Sequence, residues 1–391
     1  MDLKMTNAGD YMKEPDNIID ALYEYGLNGI KEKYGIKHHH NELYPNLFVL
    51  NYDQIDSSKV KDHPVVVQCR SLVVEYTGYD PFDEGNHWRI VSRAFDRFFN
   101  YGENATGEVF NINELTAYEK VDGSLVSVFY YNGEWLYRTK SMLMPAEEMQ
   151  MNSGRSWKEL IESTIDLDTP KSIACTYIYE ICSRDNRVVV RYDGDSAYLL
   201  AIRGNKTGCY VHQHELVKVA HNSRARLPKS YTFKTMQDCL TASTELPNLE
   251  EGYVMYNADS VPIMKVKSPA YVAAHRLRGE SVLTPKRILE MMRIGEADEY
   301  LAIFPEDYVP FDEVAIRFEA MIDELYSLWY DKFCNIEDQK EYALEVMKDC
   351  KQYQGLMFQK KKGRENNSGK SFNEMIDKMP INKLVELLGY K

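Results

Sequence analysis

The chain has no surplus of basic residues, no long apolar run and no paired cysteine spacing, and each absence closes off a class of explanation. Lysine and arginine total 47 against 60 aspartates and glutamates, a net charge of −13. That balance argues against broad, non-specific nucleic-acid binding, although a local basic groove stays open because partner choice depends on where charges sit. No uninterrupted apolar stretch reaches the length of a membrane span, and residues 1–20 are polar and acidic, unlike a secretory leader. The seven cysteines (Cys69, Cys175, Cys182, Cys209, Cys239, Cys334 and Cys350) are odd in number and scattered. Reduced thiols in a cytoplasmic protein without membrane attachment are expected, and a monomer is the expected state. His38, His39 and His40 invite a metal site. They lie in a polar stretch without acidic or cysteine partners at ligand spacing, so a solvated loop is expected.

What is present is an ordinary globular composition, 44% apolar and 27% charged, over a length that allows two or three domains. After an irregular α/β start over residues 1–60, strand signals become dense at 65–67, 71–76 and 88–94, with a turn-rich stretch over 78–85. Residues 125–131 and 134–139 read as a hairpin closed by Asn132-Gly133, the strongest short turn signal. A helix is expected over 146–165, and strands over 175–181, 188–192 and 197–202. Residues 252–256 and 262–266 read as a second hairpin. From about Leu283 the apolar period changes. Val314, Phe318, Met321, Ile322, Leu325, Trp329 and Phe333 recur at spacings of three and four, with Asp312 as the expected N-cap. Ser371 and Glu374 have capping-box spacing, and Gly389 suits a helix stop. Lys360, Lys361, Lys362 and Arg364 form one basic cluster, expected in a Gly/Asn/Ser-rich loop that is either solvated or an RNA contact.

Several of these segments carry groups that make sense together. Lys120 and Asp122 stand at the mouth of the first hairpin, where Gly123 permits close backbone approach. The second hairpin brings Glu251 to the same open end as Lys265 and Lys267, and the period of two puts both lysines on one face. Glu180 is a carboxylate amid apolar and aromatic neighbours, costly to bury without a partner. Arg70, Arg97 and Lys140 sit at strand ends. Singly, each reads as a solvated loop charge or surface ion pair.

Together, their order and spacing resemble the covalent nucleotidyltransferase superfamily of ligases and mRNA-capping enzymes. Lys120-Val121-Asp122-Gly123-Ser124 is similar to the nucleophile motif and Glu180 to the middle acidic motif. Glu251-Gly252-Tyr253-Val254 matches the acidic glycine motif, and Lys265-Val266-Lys267 the final lysine motif. The closest resemblance, over roughly residues 65–280, is to the phage-type ATP-dependent RNA ligase 1 family. Cys69-Arg70-Ser71 resembles its Cys-Arg-Gly, and the run from Ser92 to Asn100 its Ser-Arg-x-x-x-Lys-Phe-Phe-Asn. Tyr271 after the final lysine motif also fits. Two positions depart: Ser71 stands where the family has glycine, and Arg97 where it has lysine, giving a planar fork in place of a point charge.

The resemblance implies an α+β fold. A nucleotidyltransferase (ATP-grasp-like ligase) catalytic domain of antiparallel sheets with flanking helices would occupy residues 1–282, and an all-helical C-terminal domain that helps recognise RNA residues 283–391. It implies ATP and Mg²⁺ or Mn²⁺ as cofactors, and RNA with 5′-phosphate and 3′-hydroxyl ends as substrate. It also implies nicked tRNA as the natural target, with a separate end-healing kinase/phosphatase as functional partner. Lys120 becomes the AMP-accepting nucleophile, assisted by Lys265 and Lys267. Arg70, Arg97, Lys140, Glu180, Glu251, Lys265 and Lys267 become ATP or phosphate contacts, with Glu180 on the ribose. Asp122, Glu251 and Glu180 become metal-associated, partly through water. A free lysine has a pKa of about 10.4, so about one in two thousand is neutral at pH 7. The carboxylates would stabilise the Lys120 ammonium, while Lys265, Lys267 and a divalent cation would oppose them. Three alternatives stay open: a DNA ligase, an mRNA guanylyltransferase, or a catalytically inactive RNA-binding module. The first two usually carry a β-barrel after the final lysine motif, where this tail reads helical.

Overall fold

The structure is a computed structural model that describes residues 14–80, 85–103, 110–140, 142–144, 154–168, 172–247, 249–279, 283–365 and 370–390. The chain divides into two compact units, Met1–Val272 and Ala273–Lys391. The division falls within the helix Pro269–Arg278, ahead of the change of period at Leu283.

Three sheets build the first unit. A four-stranded sheet has the order β1 (Ile36–Asn41), β2 (Tyr44–Tyr52), β3 (Arg70–Asp80), β4 (Gly85–Ser92). A five-stranded sheet includes β5 (Phe99–Asn100) and β6 (Thr116–Glu119), and a second four-stranded sheet is built on β7 (Ser124–Tyr131) and β8 (Glu134–Arg138). The latter is completed by β9 (Cys175–Cys182) and β10 (Ser196–Gly204), in the order β10-β9-β7-β8. The five-stranded sheet is completed by β11 (Ser230–Tyr231), β12 (Gly252–Tyr256) and β13 (Pro262–Lys267), in the order β11-β6-β12-β13-β5. The first of these sheets is buried on both faces. Ile36, Leu50, Leu72 and Val74 pack on Ile18, Leu22 and Val65, while Leu47, Val49 and Val73 meet Phe129 and Leu136. Each such side chain contributes about 1.5–3 kcal/mol on full burial, so a one-residue slip of register would be heavily penalised.

Both expected hairpins form. β7 and β8 pair antiparallel across Asn132 and Gly133, both at positive φ (46° and 98°), as a primed turn requires. In the second hairpin Gly252 faces Lys267 and Val254 faces Lys265. Gly252 adopts φ 133°, and a Cβ there would lie 2.0 Å from the Val266 carbonyl oxygen, so only glycine fits.

Other expectations are corrected. Residues 65–67 belong to the helix Pro64–Gln68, begun by proline at its first position and by the His63 side chain accepting the Val65 N–H at 3.3 Å. A short apolar run carries no period to tell strand from helix. Residues 188–192 form no strand, because the Val189 and Val190 N–H groups are spent on the Asp122 carboxylate. The histidine run lies on β1, not in a loop. Of the helix expected over 146–165, residues 146–153 lie outside the described residues, and the helix present is Trp157–Thr164, capped by Ser156 and Glu159.

The second unit is helical throughout its described residues, around a core that includes Met321, Leu325, Trp329, Phe333 and Tyr342. Its long helix Tyr308–Leu328 starts earlier than Asp312, since Pro310 in the first turn loses no hydrogen bond there. The Ser371–Glu374 capping box forms as expected, and Gly389 follows the final helix at φ 78°. Lys360, Lys361, Lys362 and Arg364 lie in the helix Gln354–Glu365 rather than in a loop. Among the described residues no helix is long and apolar enough to cross a membrane.

Candidate active site

Lys120 occupies the crossing between two sheets. β6 pairs with β12 in one and β7 with β9 in the other, so the residues between them, Lys120 to Gly123, are where the chain changes sheet. The crossing is pinned at both ends. The Lys120 N–H donates to the Gly252 carbonyl at 2.8 Å. A Cβ on Gly123 would lie 2.4 Å from the Ile181 carbonyl oxygen, which excludes any other residue.

Around it lies a cavity of about 270 Å³ whose lining includes Arg70, Lys120, Lys140, Glu180, Lys265 and Lys267. Six of the sequence-derived candidates thus converge. The Lys120 ammonium donates to Glu251 Oε2 at 2.6 Å, and Lys267 pairs with Glu251 Oε1 at 2.9 Å. Glu251 is only 4% exposed, and one buried carboxylate therefore holds two cations. Burial alone would raise its carboxyl, but the two ammonium groups outweigh it and hold it below the usual range. Burial likewise pulls Lys120 down, yet the Glu251 and Glu180 carboxylates, the Glu251 hydrogen bond and Asp122 together raise it above an ordinary lysine.

Lys265 is left out of this pairing. Among the described residues no carboxylate lies within ion-pair distance of it, and its ammonium sits 4.8 Å from the Phe98 ring centre. Arg70 stacks over the same ring at 5.0 Å, and one of its guanidinium nitrogens is buried without a hydrogen-bond partner. Burial, then Arg70, Lys120 and Lys267, push Lys265 down to about 7. Glu180 is pushed up to about 8, chiefly by burial and further by Glu251 and Asp122, against the opposing pull of Lys120. A cationic cavity with an unpaired lysine and arginine is suited to phosphate oxygens.

Three expectations change. Asp122, expected beside a metal, is 3% exposed and fully engaged: Tyr271 Oη donates to Oδ1 at 2.7 Å, and the Val189 and Val190 N–H groups to Oδ2 at 2.8 and 2.7 Å. It ties the crossing to β9's continuation and to the helix after β13. Burial and Glu251 raise its carboxyl, and the three hydrogen bonds pull the other way. Arg97, expected on phosphate, is absent from the cavity lining. Its guanidinium stacks 4.1 Å over Tyr52 and 5.1 Å from Phe99, the planar behaviour that distinguishes arginine from lysine. Glu251 is occupied by its two lysines. Of the three candidate metal carboxylates, only Glu180 makes no hydrogen bond or ion pair with another described residue. Among the described residues no group of three metal-binding side chains forms. The residues therefore do not fit a protein-built cage. They fit a divalent cation held mainly by substrate phosphates and water with at most one carboxylate, the usual habit of Mg²⁺.

Ser71 has a physical explanation. It adopts φ 57°, the left-handed conformation for which glycine is favoured. Its strain is offset by an N–H to Asn51 Oδ1 at 2.8 Å and an Oγ–H to the Lys140 carbonyl at 2.6 Å. Ser71 thus fastens the Lys140 backbone beside Arg70. Sequence reasoning missed Tyr118, Tyr256 and Phe98, which line the same cavity. β6, which carries Tyr118, is too short to show a period.

Comparisons with known proteins bear on the family of the chain. A family model described as RNA ligase matches residues 68–271. A putative bifunctional polynucleotide kinase/RNA ligase of Autographa californica nuclear polyhedrosis virus is 33% identical over 301 residues, covering 72% of this chain and 40% of the viral protein. An RNA ligase of Rhodothermus phage RM378 is 22% identical over 351 residues, covering 71% of this chain and 78% of its own. Among solved structures, an archaeal ATP-dependent RNA ligase has a TM-score of 0.44 at 15% identity, covering 82% of this chain and 84% of that one. This chain thus spans less than half the length of the viral relative.

Proposed function

We propose that this chain, which belongs to the RNA ligase family, joins RNA ends in an ATP-dependent reaction carried by Lys120. The observation that carries the reading is Lys120 in a cavity where two further cations, Arg70 and Lys265, make no ion pair with another described residue. In the first step Lys120 Nζ attacks the α-phosphorus of ATP. Nζ loses one proton to solvent before attack and a second after it, as the P–N bond forms and the bond to pyrophosphate breaks. An RNA 5′-phosphate oxygen then displaces the lysine, taking the AMP. Finally a 3′-hydroxyl attacks the activated 5′-phosphorus, forming the phosphodiester and releasing AMP.

The chain's residues divide these tasks by chemistry. Lys265, Arg70 and Lys140 meet phosphate charge that grows as pyrophosphate departs. Lys267 and Glu251 orient Lys120. Glu180, with a pKa near 8, is largely a neutral carboxyl at pH 7 and can donate a hydrogen bond to a ribose hydroxyl. A divalent cation bound with the nucleotide would supply further positive charge at the phosphates. The described residues after Lys267 are helical, which favours an RNA ligase over a DNA ligase or guanylyltransferase with a barrel in that place. A nicked RNA such as tRNA, with ends prepared by a kinase/phosphatase, is the proposed substrate. The viral relative, described as a bifunctional polynucleotide kinase/RNA ligase, supports that pairing.

The test uses magnesium with α-labelled ATP or GTP, followed by denaturation. Label from ATP retained by the parent and lost in Lys120→Ala is expected. Label from GTP alone would indicate capping chemistry. Failure of both labelling and ligation of preadenylylated RNA would leave only an RNA-binding module.

A further inference from the structure

The helical unit contains its own cavity, about 520 Å³, formed by the helices Gln354–Glu365, Phe372–Asp377 and Ile381–Leu387. Four lysines line it: Lys362, Lys370, Lys378 and Lys383. All four are exposed, and none of their ammonium groups makes an ion pair or hydrogen bond with another described residue. The one carboxylate at the cavity, Glu374, is committed to the helix start, accepting the Ser371 N–H at 2.7 Å and Oγ–H at 3.1 Å. Leu356, Met375 and Met379 supply an apolar floor.

This is not the basic cluster read from the sequence. Successive helical residues point about 100° apart, so a Lys-Lys-Lys run cannot act as one patch. Lys361 is 7% exposed and donates to the Ile336 and Glu337 carbonyls, both at 3.1 Å. Lys360 donates to the Lys370 carbonyl at 2.8 Å, fixing the backbone that presents Lys370. Arg364 lines a separate cavity beside Trp329 and Phe333. Only Lys362 of the run joins the four-lysine rim. Glu374, whose carboxyl the Ser371 hydrogen bonds and then Lys378 and Lys370 hold below the usual range, offsets only part of this charge, and four like charges around one cavity leave a surplus that an anion relieves.

We propose that this cavity binds the phosphodiester backbone of the RNA, resting on the RNA-joining reading above. Its volume and apolar floor suit a nucleotide segment. Lysine point charges without planar forks or aromatic stacking platforms hold phosphates rather than read bases, so binding is indifferent to sequence.

The experiment uses the full chain without ATP, a fluorescent single-stranded RNA of mixed sequence, and binding measured across a series of salt concentrations. The triple variant Lys362→Ala/Lys378→Ala/Lys383→Ala is expected to lower the slope of log affinity against log salt by about 2, at roughly 0.7 per phosphate contact. The corresponding triple arginine variant is expected to bind as the parent does. An alanine triple with the parental affinity and slope overturns the proposal, as does equal loss in the arginine triple. Displacement of RNA by inorganic phosphate or AMP at equal phosphate concentration also overturns it, by showing a small-anion site. Lys120 labelling with ATP is measured on the same samples. Labelling without RNA binding removes this inference and leaves the ligase reading, while lysine-dependent RNA binding without labelling does the reverse.

Discussion

Lys265 should take up a proton when a polyphosphate enters the active-site cavity. Its ammonium is partly buried among Arg70, Lys120 and Lys267, which brings it down to about 7. The Glu251 carboxylate, bound to Lys120 and Lys267, opposes this only in part. With that pKa, Lys265 is protonated about 90% of the time at pH 6, about half at pH 7 and about 10% at pH 8. A bound polyphosphate supplies the missing counter-charge and restores the protonated state. Uptake attributable to Lys265 should therefore rise from about 0.1 proton at pH 6 to about 0.9 at pH 8. Calorimetric titration with a non-hydrolysable ATP analogue, in buffers of differing ionisation enthalpy, reads this number directly. The nucleotide's own titration is common to parent and Lys265→Met and cancels in their difference. The reasoning is refuted if the two proteins take up the same number of protons at pH 8. An uptake difference that shrank from pH 6 to pH 8 would reverse the inferred sign and refute it equally.

Asp122→Ala removes the acceptor for three hydrogen bonds, and should destabilise the first unit by about 4 kcal/mol in denaturant titration. Asp122→Asn keeps one oxygen for the two N–H groups and should cost about 1–2 kcal/mol, leaving the apparent metal affinity in adenylylation unchanged; a large metal shift would restore Asp122 as a ligand. Glu180 has a folded pKa of about 8 against 4.5 for an ordinary glutamate, so its proton favours the folded state below that ordinary value, and the contribution is lost as pH rises through 8. Melting curves should therefore show the parent losing more stability than Glu180→Gln between pH 5 and pH 9, by roughly 2–4 kcal/mol. At Ser71, alanine keeps the left-handed strain but loses the hydroxyl bond to Lys140, and should cost about 1 kcal/mol, whereas glycine, relieved of strain, should be near neutral. Alanine no worse than glycine would show that the strain carries no weight.

Both hairpins were legible because turn chemistry and a period of two are local signals. Asn132-Gly133 needs no tertiary context, and neither does the placement of Lys265 and Lys267 on one face. The sheet crossing at Lys120 was not legible. Its first half, β6, has four residues and takes its identity from pairing with β12, far along the chain. Nor could sequence divide the carboxylates. Asp122, Glu180 and Glu251 look alike until the donors around each are known: three hydrogen bonds for the first, none among described residues for the second, two lysines for the third. Ser71 read as an unexplained departure until its positive φ showed why glycine is favoured there, and Arg97 until Tyr52 showed where a planar cation goes.

Glu251 bears on how the proposed nucleophile is held. It reaches Lys120 on the sheet crossing and Lys267 at the end of β13, so one carboxylate fastens two elements and favours the Lys120 ammonium. Such a residue is a poor base, since the same ammonium groups hold its own carboxyl below the usual range. Lys120 is consequently held as the ammonium more firmly than a free lysine. Replacing Glu251 with Gln would leave two part-buried ammonium groups facing each other without their shared counter-charge, a loss of up to about 3 kcal/mol by comparison with broken buried pairs. Reactivity therefore has to arrive with the substrate. On the proposed reading, an amine held protonated by Glu251 becomes nucleophilic as charge enters the cavity, which would tie covalent chemistry to nucleotide binding.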